Sequence, residues 1–160
     1  MSDAVNLAYL AGVIDSDGTI GIKRDTYNMR IVGDCSQPIY SERICVKQVE
    51  RSAIDLLHHT FGGTFYTCSA SVRRGKPLFV WQVTDKKAVS ALRALLPFLR
   101  IKKSQAENCL DLRTIKDRSK VERVAKNRGH MGSKPRSATL SAAMEGCYQR
   151  ARHLNKVGVS

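Results

Sequence analysis

The residues best equipped for chemistry sit in one stretch, YLAGVIDSDGTIGI, from Tyr9 to Ile22. An apolar helical pattern runs straight into Asp15, Ser16, Asp17 and Gly18. The C-terminus of a helix carries partial negative charge, so carboxylates are disfavoured there and cations are favoured. Asp15 and Asp17 are therefore either turn residues that accept a small penalty or acids with a positive partner beside them. Mg²⁺ would be such a partner, since it is usually held by one or two carboxylates together with waters and phosphate oxygens. One helix end makes a poor metal cage. Two helix ends side by side would bring two carboxylates together.

The elements around this stretch suggest how that pairing arises. A helix starting at Ser2 or Asp3 and running to about Ile14 carries Leu7, Leu10 and Ile14 on one stripe. Ala8, Ala11, Gly12 and Asp15 form a second stripe of small residues, and small residues let two helix backbones approach closely. If that seam packs against its own copy, a two-fold dimer places two Asp17 side chains next to each other. Gly18 ends the helix, and Thr19 to Lys23 alternates as a half-buried strand. Asp25 to Pro38 is polar and irregular. Ile44 and Val46 mark a second strand, and Glu50 to Phe61 a helix stopped by Gly62-Gly63. Two strands, Thr64 to Arg73 and Leu78 to Thr84, follow, with Trp81 between Phe79 and Val83 on a core-facing side. Asp85 is placed to cap a helix that stops before Pro97, and another helix covers Ser104 to Ile115. The fold class is α+β with one mixed or antiparallel sheet. Residues 1–116 form the core. Residues 117–160, a basic loop and a last helix at about Ala138 to Leu154, belong to the same domain.

Composition sets the partner class. Lys and Arg number 27 against 14 Asp and Glu, a formal charge of +13. A field of that sign attracts polyanions, nucleic acid first among them. The 5 cysteines are scattered without a C-x-x-C pair, and His58-His59 reads as a helix-surface pair, so neither a disulfide framework nor a cysteine or histidine metal site is expected. No leader-like segment opens the sequence and no apolar run approaches the ~20 residues of a membrane span. An intracellular, soluble protein is expected, in the cytoplasm or an organelle, with no membrane or small-molecule partner.

LAGVIDSDG, Leu10 to Gly18, closely resembles the motif of the LAGLIDADG homing endonucleases, departing only at Val13 and Ser16. VKQVERSAIDLLHHTFGG (Val46 to Gly63) is similar to that family's strand-end glutamine, helix and Gly-Gly turn. LLPFLRIKKSQAENCLDL (Leu95 to Leu112) is similar to its proline break, basic segment and following helix. The resemblance covers roughly residues 7 to 115 and is closest to single-motif members encoded in introns. It implies an αββαββα fold with a twisted DNA-binding sheet, extended here by C-terminal helices. It also implies a homodimer that binds a long pseudo-palindromic double-stranded DNA site and makes a staggered double-strand break, using Mg²⁺ or Mn²⁺. A domain of this fold turned into a non-cleaving transcription regulator or an intron maturase is the rival reading.

Position by position, the resemblance assigns Asp17 as the catalytic metal ligand and Ser16 as a residue whose backbone carbonyl approaches the metal. Asp15 ties the helix end and, with Ala8, Ala11 and Gly12, belongs to the dimer seam. Gln48 orders active-site water; its parity with Ile44 and Val46 gives it a core-facing side. Lys102 stabilises charge at the cleaved phosphate, although Lys103 is chemically equivalent. Arg51 is a further catalytic candidate, with Glu50 a competitor for its place. The faces opposite the core would read DNA through Lys23, Asp25, Arg43, Lys47, Thr64, Tyr66, Ser69, Arg73, Lys76 and Gln82. Lys120, Lys126, Arg128, Lys134 and Arg136 would meet phosphates.

Overall fold

The computed structural model describes residues 3–26, 37–68, 77–126 and 136–157, with the side chains of 123–126 and 157 excepted. Helix α1 (Asp3–Asp17) passes into strand β1 (Gly18–Asp25) with no loop between them. A Cβ on Gly18 would stand 2.7 Å from the Ile14 carbonyl oxygen and 2.8 Å from its Cα, so the close reversal there requires glycine. The helix is one turn longer than its apolar periodicity suggests, because its final carbonyls are bonded from outside by a side chain described below.

Strand β2 (Ile39–Gln48) pairs antiparallel with β1, placing Ile20 opposite Ile44. Helix α2 (Arg51–Phe61) begins where the Glu50 carboxylate accepts the Ser52 backbone N–H at 3.1 Å. It ends at Gly62 and Gly63, with φ of 67° and 98°. A Cβ on Gly63 would lie 2.4 Å from a Val83 methyl, and the Gly62 carbonyl accepts the Trp81 indole N–H at 2.7 Å. Strands β3 (Thr64–Cys68) and β4 (Leu78–Thr84) complete a sheet of order β1-β2-β4-β3, antiparallel throughout. The mixed sheet left open by the sequence is thereby ruled out among the described residues.

One face of that sheet carries Ile20, Ile44, Val46, Trp81 and Val83, all buried. They form one core with Leu10 and Ile14 of α1, Ile54 and Leu57 of α2, and Leu92 and Leu95 of α3 (Asp85–Leu95). Trp81 is a core residue, as its alternation indicates. Helix α4 (Lys103–Lys126) adds Ala106, Cys109 and Leu112. It runs about ten residues past Ile115, where the sequence pattern placed its end. The basic composition after Lys116 is that of a solvated helix stapled by i, i+4 ion pairs such as Arg118–Glu122 at 3.3 Å. Helix α5 (Ala138–Val157) packs back through Leu140, Met144, Cys147 and Ala151, and the Asn108 amide donates to its Cys147 carbonyl at 2.9 Å. No described helix is long and apolar enough to cross a membrane.

Asp85 does not cap α3. Thr84 occupies the cap position without a side-chain bond, while Asp85 adopts φ of 54°. Its carboxylate turns to α4, where it meets Arg113 and, at 2.7 Å, Lys116. The same two cations hold the fully buried Glu42 of β2, at 2.7 Å and 3.0 Å. This four-residue network ties the sheet to α3 and α4. Removing one member of such a buried pair leaves an uncompensated charge, typically at a cost of about 3–5 kcal/mol.

Burial alone would raise the Asp85 pKa, but the hydrogen bonds from Lys116 and Arg113 together outweigh it and hold the carboxyl at about 2, below its ordinary 3.8. A depressed acid contributes stability that is complete above its unfolded pKa and is lost as pH falls through the folded value. Asp85→Asn should therefore flatten the acid-denaturation curve between about pH 4 and pH 2. Emission from Trp81 during acid titration would check this; superimposable curves for the two proteins would refute it.

Candidate functional site

The two acids of the α1 terminus have different surroundings. Asp15 is buried and its carboxylate faces its own chain. One oxygen accepts the backbone N–H groups of Arg100 at 2.7 Å and Ile101 at 3.2 Å, and the other accepts that of Lys102 at 2.9 Å. Three donors from one short loop thus converge on one carboxylate, supporting it where the helix field opposes it.

Lys102 returns the contact. Its ammonium donates to the Ile14 carbonyl at 2.8 Å and the Asp15 carbonyl at 2.6 Å, two of the carbonyls a helix leaves without intrahelical partners. A cation at this end also answers the helix dipole. Burial pushes the Lys102 pKa below the lysine range, with the charges of Asp15 and Asp17 opposing that shift. Lys103 is exposed at the first position of α4, so the structure separates the two adjacent lysines.

Asp17, the last residue of α1, is exposed, and one of its carboxylate oxygens accepts the Gln48 amide at 2.5 Å. Gln48 occupies the final position of β2, on the parity of Ile44 and Val46, and its amide oxygen is buried with no hydrogen-bond partner among the described residues. Gly18 pairs with Val46, which is why the helix end and the strand end meet. Ser16 is exposed, and its hydroxyl donates back to the Val13 carbonyl at 3.2 Å. Among the described residues no three His, Cys, Asp or Glu side chains gather into a metal cage. The donor set is instead one hard, exposed carboxylate beside an unpartnered amide oxygen, which suits Mg²⁺ only if a second oxygen-rich group completes it.

Three sequence assignments fall on residues that also make contacts within the chain. Arg51 lies along Asp55 at 3.1 Å and over the rings of Phe65 and Phe79, at 5.7 Å and 5.9 Å from their centroids. It is thus engaged on α2 and β3–β4, and Glu50 is the α2 cap. Arg136 is bonded to the Gln37 side chain at 3.1 Å and to the Pro38 carbonyl, and its guanidinium covers Tyr40. It staples α5 to β2. On α1, Ala11 and Asp15 turn inward and are buried, whereas Ala8 and Gly12 are exposed together with Val5 and Tyr9. The outward stripe is Val5, Ala8, Tyr9, Gly12 and Ser16, and a Cβ added at Gly12 would meet nothing within 4 Å.

The sheet face opposite the core collects Lys23, Asp25, Arg43, Lys47, Thr64, Tyr66 and Gln82. The register places Gln82 between Cys45 and Thr64, and Val80 between Lys47 and Tyr66. Lys23 lies 3.6 Å from Asp25. Lys23, Arg43 and Lys47 floor an open cleft of about 530 Å³ whose side wall is the C-terminal part of α5. Ser69, Arg73, Lys76, Arg128 and Lys134 lie outside the described residues, as does the side chain of Lys126; Lys120 is exposed on α4. His58 and His59 are exposed on α2.

No protein-family model matches the chain, and no curated protein sequence matches it. Solved structures do. The homing endonuclease I-CvuI, crystallised with DNA in the presence of Mg or Ca, is 20% identical, with 94% of this chain and 97% of that one aligned at a TM-score of 0.58. The group I intron-encoded homing endonuclease I-CeuI, complexed with DNA, aligns at 12% identity and a TM-score of 0.57 over 92% of this chain and 78% of that one. The LAGLIDADG homing endonuclease I-GzeII, in complex with a DNA target, aligns at 12% identity and 0.52, with 96% of this chain covering 46% of that one. At these identities the likeness establishes the fold. This chain has the single-motif LAGLIDADG homing-endonuclease fold.

The two motif acids should respond oppositely to neutralisation. Asp15→Asn removes charge-assisted acceptors from three backbone donors and is expected to lower stability by about 2–3 kcal/mol. Asp17→Asn removes a charge from the negative end of a helix and should leave stability unchanged or raise it by up to about 1 kcal/mol. Urea unfolding of both variants checks the pair; equal losses would show that Asp17, too, is structural.

Proposed function

We propose that this chain is a metal-dependent DNA endonuclease that acts as a homodimer and cuts both strands of a pseudo-palindromic site. The observation that carries this reading is the meeting of Asp17, Gln48 and Lys102 at one helix end, next to an unpartnered small-residue stripe and a basic sheet face. A binding module would need the basic face but not an exposed carboxylate held by a glutamine. The solved structures of like fold contain DNA, and one of their chains is about twice the length this chain covers, which fits a unit that works in pairs.

In this reading the outward stripe of α1 packs against its copy, with Gly12 and Ala8 permitting close approach. Two Asp17 carboxylates, one from each protomer, then converge across the two-fold axis. A divalent cation bound there would lower the pKa of a water nucleophile and withdraw charge from the scissile phosphate. The chain's own residues do the rest. Gln48 fixes the Asp17 rotamer through its amide N–H, and its buried amide oxygen is left as an acceptor that the assembled site would satisfy. Lys102 holds the terminal carbonyls and keeps a positive charge near the phosphate. Water attacks phosphorus as the bond to the 3′ oxygen breaks. The sheet face lies in the major groove, whose base edges carry a distinguishable code. Residues 1–116 and the C-terminal segment act as one domain, since α4 crosses position 116 without a break.

Asp17→Asn is expected to keep duplex binding and lose cleavage by at least about a hundredfold, as removal of a catalytic group commonly does. Gel analysis of cut ends selected from a randomised duplex library with Mg²⁺ measures it, and cleavage at the wild-type rate would discard the assignment. Gly12→Leu should fold normally, because a Cβ there points into open space among the described residues, yet sediment as a monomer where the wild type is a dimer. A variant that still dimerises would place the interface elsewhere.

A further inference from the structure

Helix α5 has a second role that its packing alone does not explain. Its N-terminal half is fixed at the far end of β1, where Glu145 accepts from Tyr40 and pairs with Arg24 at 3.2 Å. It then runs back along the open edge of β1, and near its other end the Asn155 amide donates to the Ile20 carbonyl at 3.1 Å. Gly21 permits that approach, since a Cβ there would already stand 3.1 Å from the Asn155 nitrogen. The helix therefore bonds to a strand residue only three positions after Asp17 in the chain.

This course places Arg152 and Lys156 on the wall of the cleft whose floor is Lys23, Arg43 and Lys47. Among the described residues, five cations and no acid line it. Lys23 has an acid beside it, Asp25 at 3.6 Å, so the cleft keeps a net excess of positive charge rather than a balanced set of pairs. Arg152 is exposed and directed by the Tyr148 ring, 6.0 Å from its guanidinium carbon. Arg43 Nε is shielded from solvent and has no hydrogen-bond partner among the described residues.

We infer that Arg152 and Lys156 form a phosphate-holding wall for duplex DNA, gripping the backbone of the strand beside the sheet close to the cleavage position. Bases are read from the floor, and the wall fixes depth and register without reading sequence. The inference rests on the DNA reading above and adds α5 to the surface that contacts the duplex.

The test is the salt dependence of binding to a random-sequence duplex by the full chain. Each phosphate contact contributes about −0.9 to the slope of log affinity against log salt. The double variant R152Q/K156Q should lose about two contacts per protomer, with a correspondingly shallower slope and at least tenfold weaker binding near 0.1 M salt. A charge-matched control, K86Q/R93Q on α3, should keep the wild-type slope; circular dichroism verifies that both variants fold. An unchanged slope for R152Q/K156Q, or equal losses in both variants, would overturn the wall while leaving the nuclease reading intact. A wild-type protein with no salt-dependent affinity for duplex DNA would overturn both.

Discussion

The C-terminus of α1 carries two carboxylates where the helix already concentrates negative charge, and the chain answers by folding residues 100–102 across it. Asp15 takes three backbone N–H groups from that loop, and Lys102 gives its ammonium to the carbonyls of Ile14 and Asp15. Each half of this clasp needs the other. Without the loop, Asp15 would be a buried, unpaired charge; without Lys102, the helix would end on unmet carbonyls beside two acids. With the clasp closed, α1 stays helical to Asp17 and delivers that carboxylate, still exposed, to the end of β2. Of the two acids, Asp17 is the one that stays exposed, met by the Gln48 amide.

The rest of the fold holds that helix end in register with a basic sheet face. The antiparallel sheet sends its apolar face into the helices and its basic face outward. The buried Glu42 network locks the sheet to α3 and α4, and α4 begins immediately after the clasp. Movement of the sheet relative to the helices would therefore break ion pairs that are costly to leave unmade. On the other side of β1, α5 covers what would be an open strand edge, a common site of unwanted pairing. The same helix narrows the basic face into a cleft. The position of the α1 terminus and the shape of the basic cleft thus come from the same packing.

Much of this was legible in the sequence because it is local. The αββαββα order, the core position of Trp81 and the Gly62-Gly63 turn follow from periodicity and from glycine at left-handed positions. The motif around Asp17 singled out one helix end. What the sequence withheld is long-range. Nothing near Asp15 says that its partners are backbone groups 85 residues away. Arg136 sits in a basic run yet serves Gln37 and Pro38, and Arg51 is drawn aside by Asp55 one helical turn on. Parity could have exposed one missed residue: Glu42 shares its face with Ile44 and Val46 and so had to be buried and paired. The inward turn of Ala11 and Asp15 was hidden because a stripe of small residues serves a helix packed within its own chain as well as one facing a copy.

The central claim is that two Asp17 carboxylates from different protomers share one metal-binding region against the duplex. Anomalous diffraction from Mn²⁺ in crystals of the protein bound to its selected DNA site tests this most directly. The account predicts Mn²⁺ peaks on the two-fold axis or astride it, at coordination distance from Asp17 of both protomers and from phosphate oxygens of the DNA. Peaks confined to other acids, or two Asp17 side chains too far apart to approach the same phosphates, would contradict it.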